Sequence, residues 1–155
     1  MLIDIPAYRT VDIRHIVLDY NGTVAKDGKV KAGALALMRE LCGLFSVYVL
    51  TADTFGTVKE ELEGSQIVVK ILQTQDHSAE KARFVDDLGA NLCAAVGNGN
   101  NDMQMLSHAA LGIAVVGDEG CSTKAILASD LVCGGIEEAL ELFLHPKRLV
   151  ATLRR

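Results

Sequence analysis

The sequence predicts an α/β fold, a doubly wound parallel sheet with helices on both faces. Short apolar runs at Ile16-Val17-Leu18, Val47-Tyr48-Val49-Leu50 and Ala94-Ala95-Val96 read as buried parallel strands. Segments with apolar residues at helical spacing separate them, the alternation that builds such a sheet. Each run also ends in polar residues: Asp19-Tyr20-Asn21-Gly22-Thr23, then Thr51-Ala52-Asp53, then Gly97-Asn98-Gly99-Asn100-Asn101-Asp102. Open α/β sheets place their sites at the carboxyl ends of strands.

Each element follows from local pattern. Residues 1–14 mix polar and apolar side chains and are expected as an extended lead-in or edge strand. Strand one is His15 to Leu18. Val24 to Val30 holds Asp27-Gly28 between short flanks, which signals a small hairpin. Ala32 to Leu44 has helical spacing, and Ser46 to Leu50 is strand two. Thr54 to Glu63 reads as a helix ended by Gly64. Ile67 to Leu72 is strand three. Ser78 to Leu88 is a helix with Ser78 as N-cap and Lys81 at its third position. Leu92 to Val96 is strand four, Asn101 to His108 a short helix and Leu111 to Val116 strand five. Ser122 to Ala128 is a helix, Leu131 to Cys133 a sixth strand and Ile136 to Leu144 a helix, with a last helix after Pro146.

No repeat, low-complexity tract or linker divides residues 1–155, which read as one domain. Half of the residues are apolar and only 5% aromatic, so the core is aliphatic. A net charge of −5 argues against a nucleic-acid surface. The basic cluster of Lys147, Arg148, Arg154 and Arg155 reads as a solvated helix end. No stretch is long and apolar enough to span a bilayer, so neither a membrane nor a nucleic acid is expected as partner. Cys42, Cys93, Cys121 and Cys133 are far apart, form no Cys-x-x-Cys pair and have no histidine at zinc-ligand spacing. Free thiols in a reducing cytoplasm fit this usage.

Asp19 at the end of a buried strand can act as a nucleophile, a metal ligand or both, or it can cap the following helix. Gly22 allows a sharp turn there, and Thr23 adds a hydroxyl. Lys81 taken alone reads first as a solvated helix lysine.

Taken in order, Asp19 with Gly22 and Thr23, then Thr51, then Lys81, then Asn98 to Asp102 form four motifs. With them the chain resembles the haloacid dehalogenase superfamily of phosphatases and their relatives, including the phosphorylation domain of P-type ATPases. The resemblance runs from about Ile16 to the C-terminus. The ending, Leu131-Val132 through Ile136 with Pro146-Lys147-Arg148-Leu149, looks most like the small soluble relatives of P-type ATPases. The resemblance implies a three-layer, Rossmann-like core with strand order 5-4-1-2-3. It implies Asp19 as a nucleophile that becomes an aspartyl-phosphate, Thr51 as the hydroxyl on the phosphoryl group and Lys81 as the balancing charge. Gly22, Thr23, Ala52 and Asn101 complete the implied phosphate contacts. Mg2+ would be held by Asp19, the Asn21 carbonyl, Asn98 and Asp102.

The chain departs from the phosphatase pattern twice. Asn21 stands where phosphatases carry the general acid–base aspartate, and an amide cannot do that work. Asn98 stands where the family usually has a metal-binding aspartate, so metal affinity should fall. Both amides precede glycine, a pairing open to deamidation. The gaps from Thr23 to strand two and from Asp53 to Lys81 are too short for a cap domain, and uncapped relatives often oligomerise.

A slow magnesium-dependent phosphohydrolase acting on a phosphorylated small molecule or phosphoprotein, and forming a homo-oligomer, is therefore expected. The alternative is a non-catalytic or regulatory relative that binds a phosphorylated ligand or partner. A receiver domain has less support, since its acidic pair near strand one is missing. Hydride transfer is disfavoured, because no Gly-x-Gly-x-x-Gly follows strand one.

Overall fold

A computed structural model describes residues 1–53 and 56–155. Its centre is a parallel sheet of β3 (His15–Asp19), β6 (Ser46–Thr51), β7 (Val68–Ile71), β8 (Cys93–Gly97), β9 (Leu111–Val115) and β10 (Leu131–Cys133). These strands lie in the order β10-β9-β8-β3-β6-β7. That is the expected order 5-4-1-2-3 with the sixth strand added at the edge. In register, Leu18 faces Val49 on β6 and Val96 on β8, and Asp19 faces Leu50.

Strand alternation divides the core in two. Ile16, Leu18, Val49, Val96 and Ile113 turn to one face. There they pack on Met38 and Leu41 of α1 (Ala32–Leu41) and on Ile136, Leu140 and Phe143 of α6 (Ile136–Leu144). Val17, Leu50 and Ala95 turn to the other face. There they meet Val85 of α3 (His77–Leu88), Met105 and Leu106 of α4 (Met103–His108) and Ala125 of α5 (Thr123–Ala128). Both faces are covered, which is why the strands read as continuous apolar runs. The chain changes side after β7, crossing β3 to add β8 on its far flank. Such a switch point opens a crevice at the carboxyl ends of β3 and β8.

The lead-in is a separate antiparallel hairpin, β1 (Leu2–Ile5) with β2 (Arg9–Asp12), rather than part of the main sheet. It buries Ile3, Ile5 and Val11 and packs against α7 (Pro146–Leu153). The second hairpin, β4 (Ala25–Lys26) with β5 (Lys29–Val30), turns at Asp27 and Gly28 with φ of 51° and 76°. Positive φ at both central residues marks the primed turn that a two-residue hairpin favours.

α1 ends at Leu41 rather than at Leu44, which is left exposed. The expected helix from Thr54 begins outside the described residues, and its described part is α2 (Val58–Glu61). Among the described residues, no further domain stands over the carboxyl end of the sheet. No helix of the structure is long and apolar enough to cross a membrane.

Candidate active site

Asp19 ends the central strand and is nearly buried. The neighbouring strands end beside it, β6 in Thr51 and β8 in Gly97. Lys81 arrives on α3, which covers the face toward which Asp19 turns with Val17. Its Nζ lies 2.5 Å from Asp19 Oδ1 and 2.7 Å from Asp102 Oδ1, and all three side chains are screened from water. Lys81 is thus no solvated helix lysine: it is 1% exposed.

The N-cap of α3 lies two residues before the expected Ser78. Asp76 caps the helix by accepting the Ala79 N–H at 3.0 Å. Glu80 braces the preceding turn by accepting the Gln73 and Thr74 N–H groups. Lys81 is therefore the fifth helical residue, and His77 the first.

The Asn98–Asp102 loop folds back on its own strand. Asp102 Oδ2 accepts the N–H groups of Asn98 at 3.0 Å and Gly99 at 2.8 Å, while Oδ1 meets Lys81. Gly97 makes this possible, since a Cβ there would stand 2.5 Å from Asp102 Cγ. Thr23 is drawn the same way. Its hydroxyl lies 3.0 Å from Asp19 Oδ2 and 3.2 Å from Asn98 Oδ1, so its single proton is shared between two acceptors. Gly22, with φ of 81°, makes the turn between them. The Asn98 amide also donates to the Gly120 carbonyl at 3.1 Å. Glu119 in that loop sits against Gly22, its Oε2 3.0 Å from where a Cβ would stand.

Asp19, Asn21, Thr51, Ala52, Lys81 and Asn101 line one polar cavity of about 220 Å³. Gly22, Thr23, Asn98 and Asp102 stand behind it, holding Asp19 and Lys81 in place. Thr51 accepts the Asp53 N–H at 2.9 Å, which leaves its own proton for a ligand. Two lining residues, Leu72 and His77, carry no signal in the motifs. His77 precedes Lys81 by four positions, so both project from one helix face. That spacing would have marked it, had the helix start been placed at His77.

Burial and the nearby charge of Asp102 push the Asp19 carboxyl up to about 6, against the pull of Lys81 and Thr23. Burial alone would lower Lys81, but Asp19 and Asp102 outweigh it and hold the ammonium charged well above its ordinary range. With all three ionised the buried cluster carries one uncompensated negative charge. A cation at the cavity would balance it. Among the described residues, no group of three or more His, Cys, Asp or Glu side chains is placed to hold a metal. The donors at this spot are instead oxygens of mixed kind. They include Asn21 Oδ1, a buried atom with no hydrogen-bond partner. Hard, all-oxygen sites suit magnesium.

No family model matches the sequence. Two uncharacterized proteins of Methanocaldococcus jannaschii are similar. One is 55% identical over 60 residues, 39% of this chain and 64% of that protein, so the match spans less than two thirds of its length. The other is 46% identical over 39 residues, 25% of this chain and 89% of that protein.

Among solved structures, a 3-deoxy-D-manno-octulosonate 8-phosphate phosphatase from Moraxella catarrhalis, in complex with magnesium, phosphate and its sugar acid, superposes with a TM-score of 0.70. It is 18% identical, covering 92% of this chain and 94% of that one. The cobalt-bound phosphatase of the same name from Haemophilus influenzae gives 0.70 at 14% identity, covering 86% and 88%. The sheet order, the switch point and these superpositions agree. The chain has the haloacid dehalogenase-like fold, with no cap domain among the described residues.

Proposed function

We propose that this chain is a magnesium-dependent phosphohydrolase working through an aspartyl-phosphate on Asp19. One observation carries the reading. A buried carboxylate at the end of the central strand is held between Lys81 and Thr23 and opens into a small polar cavity. Phosphoryl transfer needs an in-line nucleophile and fixed positive and hydrogen-bonding groups around the transferring oxygens. Asp19 supplies the first. Lys81, Thr51 and Asn101 supply the second. Asp19, the Asn21 carbonyl, Asn98 and, behind them, Asp102 would hold magnesium, which when bound supplies positive charge to the phosphoryl oxygens.

At about 220 Å³ the cavity is smaller than the usual site for a whole small-molecule ligand, which supports a site that grips only the phosphoryl group. The rest of the substrate then lies outside, where no cap touches it. A phosphorylated small molecule and a phosphoprotein both satisfy this geometry. The similar solved structures are named as phosphatases of a sugar-acid phosphate, which supports the monoester class. The amide at Asn21 supports slow release of the phosphoenzyme, in keeping with the P-type ATPase-like resemblance.

The same amide, with Asn98, favours a second reading: a regulatory domain that binds a phosphorylated partner without turning it over. Incubation with magnesium and an aryl phosphate separates the two. Release of phosphate that disappears in Asp19→Ala supports the enzyme; phosphate binding without release supports the regulator. The free cysteines support a cytoplasmic setting. The open site and exposed Leu44 and Leu127 support self-association. Sedimentation showing only monomer at high micromolar concentration would remove it.

A further inference from the structure

We infer that His77 is the proton-transferring residue of this site, taking the place that Asn21 cannot fill. The inference rests on the reading of Asp19 as nucleophile. It starts from the cavity wall. Of the lining side chains, Asn21 is an amide and holds no exchangeable acid or base function. Asp19 is the attacking group. Lys81 is paired at once with Asp19 and Asp102. Thr51 is tied to the Asp53 backbone. The imidazole of His77 is the remaining lining group that can both give and take a proton at a ring nitrogen.

Its placement is fixed by the same turn that fixes Lys81. Asp76 caps α3 and Glu80 clasps the chain entering it, so the first residue of the helix is anchored on both sides. His77 and Lys81, one turn apart, then face the cavity together. Asp19 from β3 and Lys81 from its own helix line the same cavity as the imidazole, and Asp76 immediately precedes it in the chain.

The chemistry balances. A carboxylate oxygen of Asp19 bonds to phosphorus as the bond from phosphorus to the ester oxygen breaks. The departing oxygen takes the imidazolium proton and leaves as an alcohol. The neutral imidazole then takes a proton from water as the water oxygen bonds to phosphorus. The bond from phosphorus to Asp19 breaks, its electrons return to the carboxylate, and inorganic phosphate and imidazolium remain. The substrates most dependent on this device are alkyl phosphates, whose alkoxides leave poorly without a proton.

The test compares wild type with His77→Asn and His77→Gln, using 4-nitrophenyl phosphate and glycerol phosphate with magnesium. Nitrophenolate leaves without a proton, so both variants should still label Asp19 from the aryl ester. That labelling also shows that they fold. Decay of the label should slow on the order of 10²-fold or more, the usual worth of general acid–base help. Labelling from glycerol phosphate should fall by a similar factor, and Asn21→Asp added to His77→Asn should restore decay. A label that forms and decays at the wild-type rate in His77→Asn overturns the proposal alone. A wild type that never labels Asp19 overturns the reading of the site, and the proposal with it.

Discussion

The ammonium of Lys81 sits 2.5 Å from the carboxylate of Asp19, although the two are 62 residues apart in the chain. The pair joins the end of the central strand to the helix covering that face, since Asp19 turns with Val17 toward the side on which α3 packs. Asp102 shares the same ammonium and holds the Asn98–Gly99 backbone with its other oxygen. One lysine therefore organises both Asp19 and the loop beside it.

Removing that lysine should be costly. Lys81→Met would leave two buried carboxylates facing each other. Breaking a buried pair in this way typically costs about 3–5 kcal/mol. Urea denaturation checks it. Asp19→Asn in the same chain should recover part of the loss, because one of the repelling charges is gone. Additive losses in the double variant would show that the charges do not interact.

The raised Asp19 carboxyl gives a pH dependence of stability without metal. Its ordinary value is 3.8 and its folded value about 6. Between these the folded state keeps a proton that the unfolded chain has released. Stability from this group is therefore full below about 4, falls as pH rises and is lost above about 6. The difference is on the order of 3 kcal/mol. In chelator, the stability change from pH 4 to pH 7 should contain this loss in wild type and lack it in Asp19→Asn. Equal slopes in the two proteins would refute the assignment.

Charge added at the loop should tighten magnesium. Asn98 brings an amide to a cluster that already carries two carboxylates and one ammonium. Asn98→Asp should raise magnesium affinity by at least about tenfold, in line with the dependence of such sites on ligand charge. Calorimetry on the chelated protein measures it. Unchanged affinity would place the cation away from Asn98.

Deamidation should be suppressed while the chain is folded. It requires the glycine nitrogen after each asparagine to attack the amide. Gly22 N–H is held by the Ala25 carbonyl at 2.8 Å, and Gly99 N–H by Asp102 at 2.8 Å. Peptide mass spectrometry of folded and urea-unfolded protein should find Asn21 and Asn98 stable in the first and converting in the second. Activity gained on ageing of the folded protein, together with deamidation at Asn21, would contradict this.

Much of this molecule is local. Strands and helices follow from the spacing of apolar side chains, and Asp27-Gly28 makes its hairpin because a two-residue loop needs positive φ at both positions. The same locality exposes Asp19, Thr51 and the Asn98–Asp102 run, each at the end of an apolar strand. That Asn21 cannot carry a proton follows from residue chemistry alone. The rest needed partners distant in the chain. Ser78 and Asp76 are both good caps, and only the path from β7 into α3, braced by Glu80, selected Asp76. That choice turned His77 into the cavity. Asp102 reads as a ligand in the motif, and only the fold shows that its oxygens also take Lys81 and the Asn98–Gly99 backbone. The glycine nitrogens that local pairing marks as reactive are tied by hydrogen bonds that the folded turns create. Side-chain pattern selects which element forms; which atoms are still unpaired when the elements meet depends on contacts between distant parts of the chain.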